Sequence, residues 1–145
     1  MKLKILLCSI FTLVLASRLF SQNAFIKEIA PDFNGFKGVL LVQRSGNSGV
    51  DGKLEKRFEK SYKGEYEYID EDDYKARQYK DLEKYRFVVK IIWIGFRNNS
   101  ATYGIIMLDR VKDQQYQTGY LSGNTIPPYN DIARYAKTLE ALRAK

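Results

Sequence analysis

The sequence predicts one α+β domain: a βαβ unit, a further helix, an antiparallel β-meander and a C-terminal helix, forming one mixed sheet with helices packed on it. Three observations carry this. Residues 85–96 and 101–108 are dense in β-branched and aromatic side chains, and the polar stretch Arg97-Asn98-Asn99-Ser100 separates them. That is the pattern of an antiparallel hairpin. Residues 38–44, 50–63 and 65–69 pass from a continuous apolar run, through a four-residue apolar period, to alternation. Strand, helix and strand in so short a span form a parallel unit with a right-handed crossover. Residues 130–145 place Ile132, Tyr135, Ala136, Leu139 and Leu142 on one helical face.

Residues 1–22 read as a secretory signal peptide. Lys2 and Lys4 give a positive start, residues 5–16 are uncharged and mostly apolar, and Val14 with Ala16, or Leu19 with Ser21, suit the −3 and −1 cleavage positions. Lys4 and Arg18 bracket 13 residues, short of the roughly 20 that a spanning helix needs. Cys8 lies near the start of the apolar run rather than at its end, so lipidation is not expected. The expected product is a single domain of residues 23–145, periplasmic or extracellular, with no stable membrane span after cleavage.

Cleavage also changes the charge balance. Lys2, Lys4 and Arg18 are the only charges before Asn23, so 24 basic residues become 21 against 17 acidic ones, and the net charge falls from +7 to +4. That bias suits weak attraction to an anionic polymer or surface. It falls short of the clustered footprint of a nucleic-acid binder.

The absent residue types exclude several chemistries. The chain has no His, and its one Cys lies in the signal segment. A His/Cys zinc site, a thiol nucleophile, a disulfide and a Ser-His-Asp triad are therefore not available after cleavage. Residues 23–145 hold no Ser-x-x-Lys pair, the spacing of one type of serine nucleophile. No cofactor is expected. Carboxylate chemistry and a lone Lys or Tyr are what remain.

In chain order, Phe25, Ile26 and Ile29 suit a short strand or turn, and Pro31 opposes a helix through Ala30. Asn34-Gly35 marks a turn. The strand at 38–44 leads into Ser45-Gly46-Asn47-Ser48-Gly49-Val50-Asp51-Gly52-Lys53. A Gly-rich strand-to-helix loop ending in Gly-Lys suggests a phosphate loop, but its spacing fails. Asn47 stands where the first glycine belongs, and Leu54 where a magnesium-binding Ser or Thr is required. What remains is a simple anion-binding candidate, Ser48, Gly49 and Lys53, at a helix start. The plainer reading is a capping box of Ser48 and Asp51.

Val50, Leu54, Phe58 and Tyr62 form the apolar stripe of the helix at 50–63, with Lys53, Lys56, Arg57, Lys60 and Lys63 mostly outside it. Such a basic flank is either a docking face or simply solvated. Gly64 suits the helix end, and Tyr66 and Tyr68 share one face of the next strand. Asp70, Glu71, Asp72 and Asp73 form an acidic cluster after that strand. They lack the spacing of a calcium loop, and their plain reading is to start a helix running to Lys84, capped by Asp72 or Asp73.

In the hairpin, Phe87, Val89, Ile91 and Trp93 point one way and Val88, Ile92 and Ile94 the other, as for a strand covered on both faces. Asn98-Asn99-Ser100 formally matches a glycosylation acceptor. Residues 109–113 read as a turn and 114–121 as a polar third arm at the sheet edge. Pro127 and Pro128 close the following loop, and Asn130 caps the last helix. The eleven tyrosines are of a type common both at binding surfaces and at sheet margins. The functional expectation is an exported, non-catalytic domain that binds another cell-envelope component, a protein or an anionic polymer, through a sheet edge or the basic helix flank. A small hydrolase using Asp70–Asp73, or a subunit of an envelope complex, are the alternatives.

Overall fold

A computed structural model describes residues 26–97, 100–118, 121–123 and 129–145. The expected signal peptide at 1–22 lies outside the described residues, as do Asn98, Asn99, Tyr120, Pro127 and Pro128. The elements in order are β1 (Leu40–Gln43), α1 (Ser48–Ser61), β2 (Tyr66–Ile69), β3 (Phe87–Arg97), β4 (Ser100–Asp109), β5 (Gln114–Gln117), β6 (Leu121–Gly123) and α2 (Tyr129–Arg143). They form one mixed sheet of order β2-β1-β3-β4-β5, the expected α+β architecture.

Strand β1 is parallel to both neighbours, with Leu41 opposite Glu67 on one side and Val88 on the other. The β3–β4 hairpin is antiparallel from Phe87↔Asp109 to Arg97↔Ser100. The outer edge of β4 is shared by β5, opposite residues 106–109, and β6, opposite 101–103. At the junction the N–H of Thr118 donates to the Ile105 carbonyl at 2.9 Å, and the N–H of Ile105 donates to Thr118 Oγ1 at 3.0 Å. The hydroxyl stands in for a strand carbonyl where the ladder breaks.

Both helices pack on one face of this sheet. Leu54 and Phe58 of α1 and Ile132, Tyr135, Ala136 and Leu139 of α2 meet Leu40, Val42, Phe87, Val89, Ile105 and Met107. Phe33, Phe36 and Phe87 form an edge-to-face group that closes the core against the N-terminal turn. Gly35, at φ 72°, makes the sharp reversal expected of Asn34-Gly35, and its N–H donates to the Leu142 carbonyl at 3.0 Å.

Among the described residues, the segment 70–86 covers the opposite face. It buries Leu41, Ile69, Val88 and Leu108 beneath Tyr79, with Tyr74 and Tyr85 alongside. The expected helix to Lys84 does not form. In its place are two short 3₁₀ turns, Asp73–Lys75 and Arg77–Tyr79, separated by an extended Ala76 at ψ 155°, and Asp72 is left-handed at φ 60°. The reason is spacing. Tyr74 and Tyr79 are five residues apart, which a helix would turn roughly 140° away from each other. Breaking the chain at Ala76 lets both rings face the sheet.

Three smaller differences also have physical causes. Gly64 has no left-handed helix-ending role, because α1 stops at an extended Tyr62. It is small because a Cβ there would lie 2.5 Å from Arg143 Cδ and 2.6 Å from the Tyr62 hydroxyl. Helix α2 begins at Tyr129, so Asn130 sits inside its first turn rather than capping it. Strand β3 is covered on both faces only over its first part. Strand β1 pairs it at residues 88–90 alone, and the remainder runs out with β4 as an arm. Trp93 on that arm is 60% exposed. The register shifts between Trp93 and Gly95, and Gly95 takes φ 143° to allow it.

A buried ion cluster ties the N-terminal turn to the hairpin. Asp109 is fully buried and accepts from Arg86 Nε at 3.0 Å and Nη2 at 2.8 Å, and from the Val111 N–H at 3.1 Å. Arg86 also pairs with Asp32, which Lys112 Nζ approaches at 3.0 Å. Burial pushes Asp109 up, but the Arg86 guanidinium and the backbone N–H groups of Lys112 and Val111 outweigh it and hold the carboxyl below its usual range. Lys112 and Arg86 hold Asp32 low as well. Depressed carboxylates stabilise the fold above their unfolded pKa of about 4, and that contribution is lost as pH falls through the lower folded value.

Replacing Arg86 by Met leaves a buried carboxylate without its cation, and urea unfolding at neutral pH should show a loss of about 3 kcal/mol. The parent protein should lose stability below about pH 4. The variant should lose less or gain, because unopposed burial raises Asp109. A loss under about 1 kcal/mol would show the cluster to be energetically neutral.

Candidate functional site

The contacts between α1 and α2 define the end of the molecule where chemistry concentrates. Arg57 Nη1 donates to Asn130 Oδ1 at 3.5 Å, and Lys53 Nζ lies 5.7 Å from the centre of the Tyr129 ring. Eleven residues further along α2, the Lys63 N–H donates to Glu140 Oε2 at 2.9 Å. Start meets start and end meets end, so the helices are parallel. Because α1 returns along β1, both helix N-termini lie beyond Gln43, at the carboxyl end of the parallel strands. Open α/β sheets place ligands at that end.

Three faces of α1 have separate tasks. Leu54 and Phe58 enter the core. Glu55 accepts from Arg44 Nε at 3.0 Å, and with Glu59 it faces Tyr66 and Tyr68 on β2. Lys53, Lys56, Arg57 and Lys60 line an open concavity of about 420 Å³ together with Tyr129. Spacings of three and four residues put these cations side by side. None of the four makes an ion pair among the described residues. Burial raises the Tyr129 phenol above its usual value, with Tyr103 and Asp51 adding to the shift, so the hydroxyl stays neutral at physiological pH. This group can hold anionic ligands by charge and by hydrogen bonding, with an aromatic ring at one end.

The loop leading into α1 is closed by its own side chains. Asn47, not Ser48, is the N-cap: its Oδ1 accepts from the N–H groups of Gly49 at 3.1 Å and Val50 at 3.3 Å. Asp51 does not complete a capping box with Ser48. Its Oδ1 accepts from the N–H and hydroxyl of Ser45, at 2.8 and 2.7 Å. Of the anion candidates Ser48, Gly49 and Lys53, then, Gly49 donates to the cap, while Lys53 turns along the helix toward Tyr129. Lys53 joins the basic flank rather than the loop.

The acidic cluster is spread out. Asp70, Glu71, Asp72 and Asp73 are all exposed. Asp70 lies 3.4 Å from Arg44, Asp72 pairs with Lys75 at 2.9 Å, and Asp73 Oδ2 accepts from the Asp70 N–H at 3.3 Å. The Lys75 ammonium holds Asp72 below its ordinary value. No group of three or more His, Cys, Asp or Glu among the described residues is arranged to hold a metal. No described helix is long and apolar enough to cross a membrane.

Sequence reasoning identified the basic flank but missed its completion by Tyr129, 69 residues beyond Lys60. Periodicity within α1 cannot show which part of the chain lies beside it. The aromatic that opens α2 was the one available signal.

No family model matches this chain, and no curated protein matches it. Among solved structures it is similar to the PelC dodecamer of Paraburkholderia phytofirmans in two crystal forms. One is 12% identical over 74% of this chain and 90% of that one, and the other 15% identical over 77% and 91%, each with a TM-score of 0.40. Likeness at this level assigns neither a fold family nor a role.

Replacing Asn47 by Ala should destabilise the protein by about 1 kcal/mol through loss of the cap. Replacing Ser48 by Ala should change it by less than about 0.5 kcal/mol. Thermal or urea unfolding of the two variants distinguishes the two assignments of the cap.

Proposed function

We propose that this protein is an exported, non-catalytic binding domain that holds an anionic component of the cell envelope on the exposed flank of α1. Four cations at Lys53, Lys56, Arg57 and Lys60, side by side around an open concavity and without an ion pair among the described residues, carry this reading. Their number equals the whole excess of positive charge expected after signal cleavage, 21 basic residues against 17 acidic. Arg44, Lys75, Arg86, Lys112, Arg134 and Arg143 are paired with carboxylates, while other cations such as Lys80 and Lys137 also make no ion pair among the described residues, so what marks the flank is four cations placed side by side. The flank therefore keeps its field available to a ligand, and a field of this kind speeds encounter with polyanions. The parallel helix N-termini at the same end add positive potential of the same sign.

Polyphosphate and polygalacturonate serve as probes with the purified protein. At low salt at least one of them should bind, and binding should weaken as salt screens the charges. The variant Lys53→Gln/Lys56→Gln/Lys60→Gln should bind at least about tenfold more weakly, three charges contributing about 0.5 kcal/mol each. Equal binding by parent and variant, or no binding to any polyanion, overturns the proposal.

A further inference from the structure

Beside the basic flank lies a row of aromatic rings that the core does not fully cover. Tyr103 on β4 stands opposite Trp93 on β3 and opposite Leu121 on β6. Directly opposed residues of antiparallel strands share a face, with Cβ atoms about 5 Å apart. Tyr103 follows Ile105 and Met107 at two-residue intervals, and these two lie in the core under the helices. The row is therefore on the helix-covered face, at the point where the helices end. Tyr129 opens α2 and packs against the same core as Leu121. Tyr103 lies close enough to add to the upward shift of the Tyr129 hydroxyl. Along one surface, then, run Lys60, Arg57 with Lys56, Lys53, Tyr129, Tyr103 and Trp93. Tyr129 and Tyr103 are half-buried, and Trp93 is 60% exposed.

We propose that this strip is a subsite for an acidic polysaccharide, with the cations holding carboxylates and the aromatic rings stacking on sugar faces. The proposal rests on the reading of the α1 flank as an anion-binding surface and names its ligand class. A phosphate polymer presents charge and offers nothing for three aromatic rings to stack on. A uronate chain presents a carboxylate and an apolar C–H face on every residue, and both counterparts are here on one surface. Rings with a polar tip suit such a ligand, because the hydroxyl or indole N–H can bond to sugar oxygens while the face stays apolar. Length points to a polymer. Lys53 to Lys60 alone rises about 10 Å along the helix, longer than one sugar, and the aromatic row extends it. Among nearby carboxylates, Asp51 accepts from the N–H and hydroxyl of Ser45, and Asp131 pairs with Arg134.

The chain has a single tryptophan, so its fluorescence reports on Trp93 alone. Polygalacturonate added to the purified protein should shift or quench that emission as it binds. The variant Trp93→Ala, checked for an unchanged fold by circular dichroism and urea unfolding, should bind polygalacturonate about five- to tenfold more weakly and polyphosphate unchanged. The triple Gln variant of Lys53, Lys56 and Lys60 should weaken both. If polyphosphate binds and the triple variant loses it, but polygalacturonate neither binds more tightly nor alters the emission, the polysaccharide subsite is overturned and the anion-binding role stands. Preference for vesicles rich in phosphatidylglycerol over both polymers, with Trp93 entering the bilayer, also overturns it in favour of membrane docking. Failure of every anion to bind overturns both proposals.

Discussion

The parallel contact of α1 with α2 decides what stands next to what at the carboxyl end of the parallel strands. Helix α1 has no choice of direction, since a parallel βαβ unit requires it to run back along β1. Helix α2 has a choice, and its far end is held by specific bonds. Glu140 accepts from the Lys63 N–H and pairs with Arg143 at 2.6 Å, and Arg143 in turn stacks 6.0 Å from the Tyr62 ring. With that end fixed, the rigid rise of two helices carries Tyr129 and Asn130 to Lys53 and Arg57. An antiparallel α2 would have delivered its negative end to the same place and cancelled part of the field.

Gly64 allows this approach, and Gly38 a separate one beside the N-terminal turn. A side chain at Gly64 would collide with Arg143 and Tyr62, and one at Gly38 with Phe36 and the Lys84 carbonyl. The sheet itself is covered unequally. Two helices protect one face, while a 17-residue connection, 70–86, protects only part of the other. Past residue 90, β3 has no β1 beside it, and the arm depends on β4 and β6. That is why Trp93, in phase with the buried Phe87 and Val89, ends largely in water. Its alternation is that of a core residue, but the helices above it have already ended.

Much of this architecture was legible in the sequence, and the limits fall in particular places. Continuous apolar runs and four-residue periods located β1, α1, β2, the hairpin and α2 to within two or three residues, because burial on a sheet or helix face writes a local period. The polar third arm, expected over 114–121, was legible only in part: residues 114–117 form β5, the ladder breaks at Thr118, and residues 121–123 pair separately as β6. The segment 70–86 was not. Its acids and scattered tyrosines imitate a capped amphipathic helix, and only the need to place Tyr74 and Tyr79 on one side excludes it. Asn47 was passed over as the cap because Ser48 three residues before Asp51 matches a common motif, whereas Ser45 claims Asp51 from the opposite side. In the candidate site the cations were legible as a helical stripe. Tyr129, Tyr103 and Trp93 were not legible as their neighbours, since these meet the stripe only through the fold.

The energetics of α1 separate a binding surface from a merely solvated one. Lys53 with Lys56, Lys53 with Arg57, Lys56 with Lys60, and Arg57 with Lys60 are all like-charged at helical neighbour spacings. Each such pair costs about 0.2–0.5 kcal/mol, so the four together cost roughly 1–2 kcal/mol at low salt, offset in part by Lys56 with Glu59 at the same spacing. Lys53 also lies near the positive end of the helix, where a cation is least favoured. Acids were at hand to relieve this, yet Glu55 and Glu59 sit on the β2 side, where Glu55 pairs with Arg44. A solvated helix face gains from interleaving opposite charges, and this one segregates them. Repulsion of that kind lowers the stability of the free protein and is relieved when an anion arrives. That segregation, rather than the number of charges, is what supports the proposal of an anionic ligand for this flank.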